Sequence, residues 1–350
     1  MKSLNTKYIS KFDHIRFFAA FCVMIFHFNR NKYTESLALG VEIFYVLSAF
    51  LFTVISHAGD KEIKYSTFIY NRFIRIFPLV IVCFICLISV MRDQFKGVDI
   101  FNLLFLNMSN GLKPTKFEYG SAYLSFPWWT IHVEFLFYLI FPFLISFYKK
   151  YGIRYLLLCL ILKYILYSMI LIISVSNGSK YGEVMMSLNY SIIGHLDSFI
   201  IGMIGGIIYI KKDLAIMSKN YLSLILIPII LALLYKSDLL IEYFDLYQCL
   251  ATTLQSLLIV CFILLYTKSK ISIPKIIDNF FSKLGIISFS TYLLHEVIRD
   301  WLYSIEWVSS KHEIYGNELF ICMLSVYAVA SISYLVIEKP FLDIRRKYIK

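Results

Sequence analysis

Arg16 and His27 lie on the first long apolar stretch of the chain, Arg16-Phe17-Phe18-Ala19-Ala20-Phe21-Cys22-Val23-Met24-Ile25-Phe26-His27. Hydrocarbon is a costly place for ionisable side chains, and those found there usually face a cavity, pair with one another or do chemistry. Eleven positions separate the two. On an α-helix this is close to three turns, so both side chains leave nearly the same face, roughly 16 Å apart along the axis. A guanidinium at the membrane edge and an imidazole well inside, on one face, are placed to reach two ends of one long substrate. With an unperturbed pKa near 6.5, a neutral imidazole is accessible as a general base. Plainer roles stand beside these. His27 can be a hydrogen-bonded structural residue. Arg16 can snorkel to water or pair with Asp13, three residues earlier.

Other polar groups fall inside apolar runs. Glu42 sits in the second run, where a carboxylate must be paired, protonated or turned to a cavity. It is a candidate to orient His27 or to pair with Arg16. Glu134 and Tyr138 are four apart and share a helix face. His132, two residues from Glu134, points elsewhere and reads as structural. His195 and Asp197 are placed to line one cavity, and His295 and Glu296 add two more polar groups. Glu338, beside Lys339, reads as a structural pair. Arg72 and Arg75 precede Pro78 and mark the cytoplasmic start of a helix. Cys83 and Cys86 have the spacing of metal ligands but no second pair, so all seven cysteines read as small buried hydrophobes and no metal site is expected.

The elements that must position these residues are membrane helices. The chain has 350 residues, is 59% hydrophobic and only 16% charged, and its mean hydropathy is +0.71. Soluble domains carry about 25% charged residues. The fold class read from this is all-α, a polytopic helical bundle with about ten spans of about 20 residues. The spans are expected near 12–29, 38–57, 76–92, 129–147, 153–175, 190–210, 220–235, 247–267, 284–303 and 318–337. The short apolar segment 98–108 reads as a re-entrant or interfacial piece. Pro142 and Pro228 fall inside spans, which membrane helices tolerate. Gly202, Gly205 and Gly206 mark a face open to a neighbouring helix. No internal repeat indicates a two-halves transporter. The whole chain, 1–350, reads as one transmembrane domain. Its first segment reads as a retained helix, because no small-residue cleavage site follows the apolar run.

The net charge of +11 could suggest nucleic acid, but the basic residues are spread over loops between apolar runs. With both termini in the cytoplasm, 23 of the 34 Lys and Arg residues fall in cytoplasmic segments, as the positive-inside rule requires. Lys163 lies within a span.

Several segments together resemble the acyltransferase 3 family of membrane acyltransferases. Phe12-Asp13-His14-Ile15-Arg16-Phe17-Phe18-Ala19-Ala20 through His27-Phe28 is similar to its opening helix. Gly40-Val41-Glu42-Ile43-Phe44-Tyr45-Val46-Leu47-Ser48-Ala49-Phe50 is similar to its second helix, with Glu42 where the family usually has Asp and Ala49 where it usually has Gly. Phe68 through Pro78 resembles its basic loop, and Trp129 through Tyr138 its Trp–Glu–Tyr helix. Ser290-Thr291-Tyr292-Leu293-Leu294-His295 and Ile337-Glu338-Lys339-Pro340-Phe341 match its closing signatures.

The resemblance implies transfer of an acyl group, usually acetyl, from a coenzyme A thioester to a hydroxyl of an extracytoplasmic glycan. It also implies the single-domain type, without a fused esterase-like domain. His27 is then base or transient acyl carrier, and Arg16, Arg72 and Arg75 take the donor's phosphates, which suit guanidinium forks. Glu134 and Glu42 act as catalytic carboxylates, while Tyr138, Asp197 and His295 line the acceptor side. Acetyl-CoA or another acyl-CoA is a substrate, and no permanently bound cofactor is expected. The partners are membrane lipid and a glycan or lipid-linked sugar, in the cell membrane, a bacterial inner or plasma membrane. The competing reading is a proton-coupled exporter with His27, Glu42, Glu134 and Asp197 as its proton path. A weaker one is an inactive sensor or scaffold, against which the intact Arg16/His27 pair argues.

Overall fold

A computed structural model describes residues 8–31, 33–57, 62–91, 128–211, 225–230, 232–233 and 248–346. The helices, in chain order, are α1 (Ser10–Phe28), α2 (Gly40–His57), α3 (Tyr65–Met91), α4 (Trp128–Tyr151), α5 (Ile153–Ser176), α6 (Tyr181–Asn189), α7 (Ile192–Lys211), α8 (Gln248–Lys268), α9 (Lys275–Ile286), α10 (Ser288–Ser304), α11 (Gly316–Ser333) and α12 (Lys339–Asp343). A 3-10 turn, Glu35–Leu39, leads into α2, and a π turn, Tyr334–Glu338, joins α11 to α12. Among the described residues there is no strand, and Asn29 and Glu313 form an isolated antiparallel bridge.

Helices prevail because hydrocarbon offers no hydrogen-bond partner, so each apolar segment must satisfy its own backbone. Among the described residues, seven helices are long and apolar enough to cross a membrane: α2, α3, α4, α5, α7, α8 and α11 with its continuation. A helix also occupies the expected stretches 12–29 and 284–303. These two are more polar. α1 carries Lys11, Asp13 and Arg16, and α10 is a 17-residue helix bearing Glu296, Arg299 and Asp300. The stretch 220–235 is described only at 225–230 and 232–233, and segment 98–108 lies outside the described residues. The third helix corrects the sequence reading. It starts at Tyr65, not near 76, so Arg72 and Arg75 lie on its turns and Pro78 sits inside it. Asn71, Arg72 and Arg75 make that first stretch look like a loop in sequence.

The chain divides into two compact units, each built from separate segments: 1–62 with 197–331, and 63–196 with 332–350. Both α7 and α11 pass from one unit to the other. In the first unit, Ile43, Val46, Leu47 and Phe50 of α2 share a core with Ile201 of α7 and Ile259 and Ile263 of α8. The expected glycine face makes this packing. A Cβ on Gly205 would stand 2.7 Å from a Val260 methyl, and one on Gly206 would stand 2.7 Å from the Phe50 carbonyl oxygen. Ala49 presents only a methyl to Gly202. A second cluster joins Met24 and Phe28 of α1 to Ile298 and Leu302 of α10, Ile314, and Cys322 and Val326 of α11.

In the second unit α4 packs on α3 and α5, and α3 also meets the π turn and α12. Phe68, Phe137, Tyr138 and Phe141 form an aromatic group between α3 and α4. Asn71 clamps the chain beyond α12: its amide donates to the Arg346 carbonyl (2.6 Å) and its carbonyl accepts from the Arg346 N–H (3.0 Å). Lys163 of α5 is buried, with its ammonium 4.9 Å from the Tyr164 ring centre and 5.5 Å from that of Tyr167, a cation–π setting. The rest of α5 exposes Leu158, Ile161, Ile165 and Ile172, the surface a lipid-facing helix presents.

Candidate active site

The last turn of a helix leaves carbonyls without intrahelical partners. At the end of α1 these are taken by distant parts of the first unit. Arg299 Nη1 of α10 donates to the His27 carbonyl at 3.0 Å, and the Ile314 N–H donates to the Phe28 carbonyl at 3.1 Å. The Arg30 N–H donates to the His312 carbonyl at 2.8 Å, and the Thr34 hydroxyl donates to the Asn29 carbonyl. The chain is thus pinned at His27 and at the three residues after it. The imidazole stands in the last turn of α1, one residue from its end.

The ring meets α10. His27 Nδ1 is 2.8 Å from Glu296 Oε1, and the ring centres of His27 and His295 are 5.1 Å apart. His27 keeps 28% of its side chain exposed, while Glu296 keeps 9%. Glu296 is also 3.7 Å from Arg299 Nη1. Arg299 is held in turn by Asp300, 2.8 Å from both its Nε and its Nη2. One helix therefore supplies the carboxylate at the imidazole and the guanidinium on the same residue's backbone. His295 is fully buried, with Nδ1 2.7 Å from the Tyr292 carbonyl oxygen. One ligand-type atom each from His27, His295 and Glu296 lie within 4.8 Å of one another. Sequence reasoning named Glu296 only as a polar residue and passed over Arg299 and Asp300. Four ionisable groups in the six residues from His295 to Asp300, inside an expected span, were the signal available.

Arg16 stands on α1 toward its other end. Its Nη1 is 2.5 Å from Asp13 Oδ1, and Asp13 also accepts from the Tyr8 hydroxyl at 2.6 Å. The expected local pair is thus present, with 37% of the Arg16 side chain exposed. Around it, α1 is fixed to α8 and α9. Ser10 donates to Asp278 at 2.7 Å, and His14 Nδ1 lies 2.7 Å from the Tyr266 hydroxyl. Gly285 lets the two backbones touch, because a Cβ there would fall on the Asp13 backbone.

Glu42 has a partner other than those expected. Its Oε2 accepts from Ser198 Oγ at 2.5 Å, and Ser256 donates to Ser198 at 2.9 Å. Asp197 accepts from Thr252 (3.0 Å) and Thr253 (2.6 Å). Ser256 Oγ is also 2.8 Å from the Thr252 carbonyl and shares its one proton between that oxygen and Ser198, so Glu42 and Asp197 are joined in one buried polar network across α2, α7 and α8. The carboxylate that bonds the imidazole is Glu296.

In the second unit Glu134 and Tyr138 are brought together as hydrogen-bonding neighbours. The Arg72 guanidinium lies over Tyr138, 5.9 Å from the ring centre, and over Phe68 at 5.6 Å. Arg75 Nη1 is 3.1 Å from Glu338 Oε2, and Glu338 is only 1% exposed. Glu338 thus pairs with Arg75 of α3, a partner that the sequence reading did not name. His195 and Asp197 are two residues apart on α7, but their contacts belong to different units. His195 Nε2 is 2.6 Å from the Asn189 carbonyl, and its ring tilts against Trp129.

Helices of this length and polarity define a multi-pass membrane protein. The family model described as an acyltransferase domain matches residues 9–337, across both units, and the chain belongs to the acyltransferase 3 family. It is a membrane acyltransferase. Comparison with curated proteins gives no match, and comparison with solved structures gives none.

Proposed function

We propose that the chain transfers an acyl group, acetyl in the first instance, from coenzyme A to a hydroxyl of a cell-surface or lipid-linked glycan. The observation that carries the reading is the 2.8 Å contact between His27 Nδ1 and Glu296 Oε1 in a member of an acyltransferase family. A carboxylate on Nδ1 fixes the tautomer, so Nε2 carries the lone pair. The same carboxylate stabilises the imidazolium once the ring has taken a proton. That division of labour suits a general base better than an acyl carrier.

His27 Nε2 takes the proton of the acceptor hydroxyl as its oxygen attacks the thioester carbonyl. A C–O bond forms, the C–S bond breaks, and the proton leaves with the thiolate as coenzyme A thiol. The phosphates of the donor fall to Arg16, Arg72 and Arg75. What supports this is the residue chemistry and the family pattern, each guanidinium offering a five-donor fork. Glu134 and Tyr138 contribute a paired acid and phenol for acceptor hydroxyls, and His295 lines the acceptor side. The buried Glu42–Asp197 network ties α2, α7 and α8 to one another.

The test is acyl transfer by the purified protein in detergent, with radiolabelled acetyl-CoA and a glycan acceptor. His27→Ala should lower the rate by about 10²- to 10⁴-fold, the range a positioned base contributes. A well-folded variant that transfers at the wild-type rate would remove His27 from the chemistry. Label left on the denatured wild-type protein, and lost in His27→Ala, would replace the base with an acyl carrier.

A further inference from the structure

We propose that His27, His295 and Glu296 bind one divalent transition-metal cation, of which Zn²⁺ is the probe, and that this cation switches acyl transfer off. The first observation is the donor set. Two imidazoles and one carboxylate place ligand-type atoms within 4.8 Å of one another. A nitrogen- and oxygen-donor trio of this kind suits Zn²⁺ and its first-row neighbours, and three protein ligands leave a coordination position open.

The second observation is independent. His295 is completely buried, and its Nδ1, 2.7 Å from the Tyr292 carbonyl, must carry the proton, because a carbonyl can only accept. Its Nε2 is therefore a lone pair, enclosed and without a hydrogen-bond partner among the described residues. An imidazole whose second nitrogen donates to a backbone carbonyl is set up as metal-ligating histidines are. A cation would give that enclosed lone pair a partner.

Charge supports the same assignment. Arg299 is the cation nearest to Glu296, at 3.7 Å, yet it is closer to Asp300, at 2.8 Å through two of its nitrogens. The Glu296 charge is thus left for the imidazole or for a metal ion. Access is through His27, the one member of the trio with appreciable exposure, 28% of its side chain. Inhibition follows from chemistry already assigned and rests on the proposed role of His27. A cation that engages the ring and its carboxylate removes both from proton transfer. Binding itself does not depend on that role.

The experiment uses the full chain in detergent, stripped with a chelator and titrated with Zn²⁺ by calorimetry. One cation per chain should bind with micromolar affinity, weakened at least about tenfold in both His295→Ala and Glu296→Gln. X-ray absorption of the Zn²⁺-loaded wild type should show two imidazoles and no sulfur, which needs no variant to fold. No saturable binding, binding indifferent to both substitutions, or sulfur in the first shell would each overturn the site. Acyl transfer should fall with the same half-saturation and return with chelator. Full transfer at a filled site would overturn the switch. The His27→Ala rate separately decides the base.

Discussion

Glu296 lies beside the His27 ring and is almost wholly buried, so its charge and its shape can be tested apart. Glu296→Gln keeps the volume and a carbonyl oxygen for the Nδ1–H. It loses the anion that stabilises the imidazolium. The turnover number should fall on the order of 10²-fold while the KM for acetyl-CoA stays put, the signature of an interaction made in the transition state. An equal loss in KM would point to donor binding. Arg75 poses the opposite problem, because its pair with Glu338 is structural as well as basic. Arg75→Ala takes an ion-pair partner from a buried carboxylate and should cost up to about 3–5 kcal/mol of stability, read as a lower unfolding temperature. Arg75→Met with Glu338→Leu removes both charges and should recover most of that stability. A KM for acetyl-CoA that still rises in the double variant separates donor binding from folding. Arg16 with Asp13, and Glu134 with Tyr138, were legible because residues three or four apart on a helix meet by geometry alone. His27 with Glu296, and Arg75 with Glu338, were not: nothing in local spacing tells which remote helix supplies a partner.

At the scale of the helix, the apolar runs marked nearly every span, since a membrane helix announces itself by length and hydropathy. Both α1 and α10 fill expected stretches yet carry more charge than the other spans, and the last turn of α1 meets the middle of α10 at the imidazole. The early turns of α3 escaped notice because their polar residues are satisfied by Glu338, by aromatic rings and by the Arg346 backbone, none of them nearby in sequence. Glycine, by contrast, was readable as a packing mark. Gly206→Leu should push α7 away from α2, where Phe50 and Thr53 already touch, and Gly285→Val should part α9 from Asp13. Each should cost about 1–3 kcal/mol or more, seen as loss of monodisperse protein and a lower unfolding temperature. The matching change at Gly178, with no heavy atom near its Cβ position, should cost only the strain of its positive φ.

For the molecule as a whole, the basic residues carry one more expectation, that both termini face the cytoplasm. A green fluorescent protein fused after Lys350 should fluoresce in bacterial cells, and an alkaline phosphatase in the same place should be inactive. Active phosphatase would reverse the topology. Composition was enough for the membrane class, and ordered motifs were enough for the family. The partition into two discontinuous units was not legible, because α7 and α11 each read as one uninterrupted apolar run. The clasp of Arg299 on the His27 carbonyl spans 272 positions of sequence. During synthesis the ribosome must make most of the protein before the first histidine helix can meet its acidic neighbour. A nascent or prematurely ended chain lacks the Glu296 partner of His27, so on the proposed role of that ring it should transfer no acyl group until translation has passed that carboxylate.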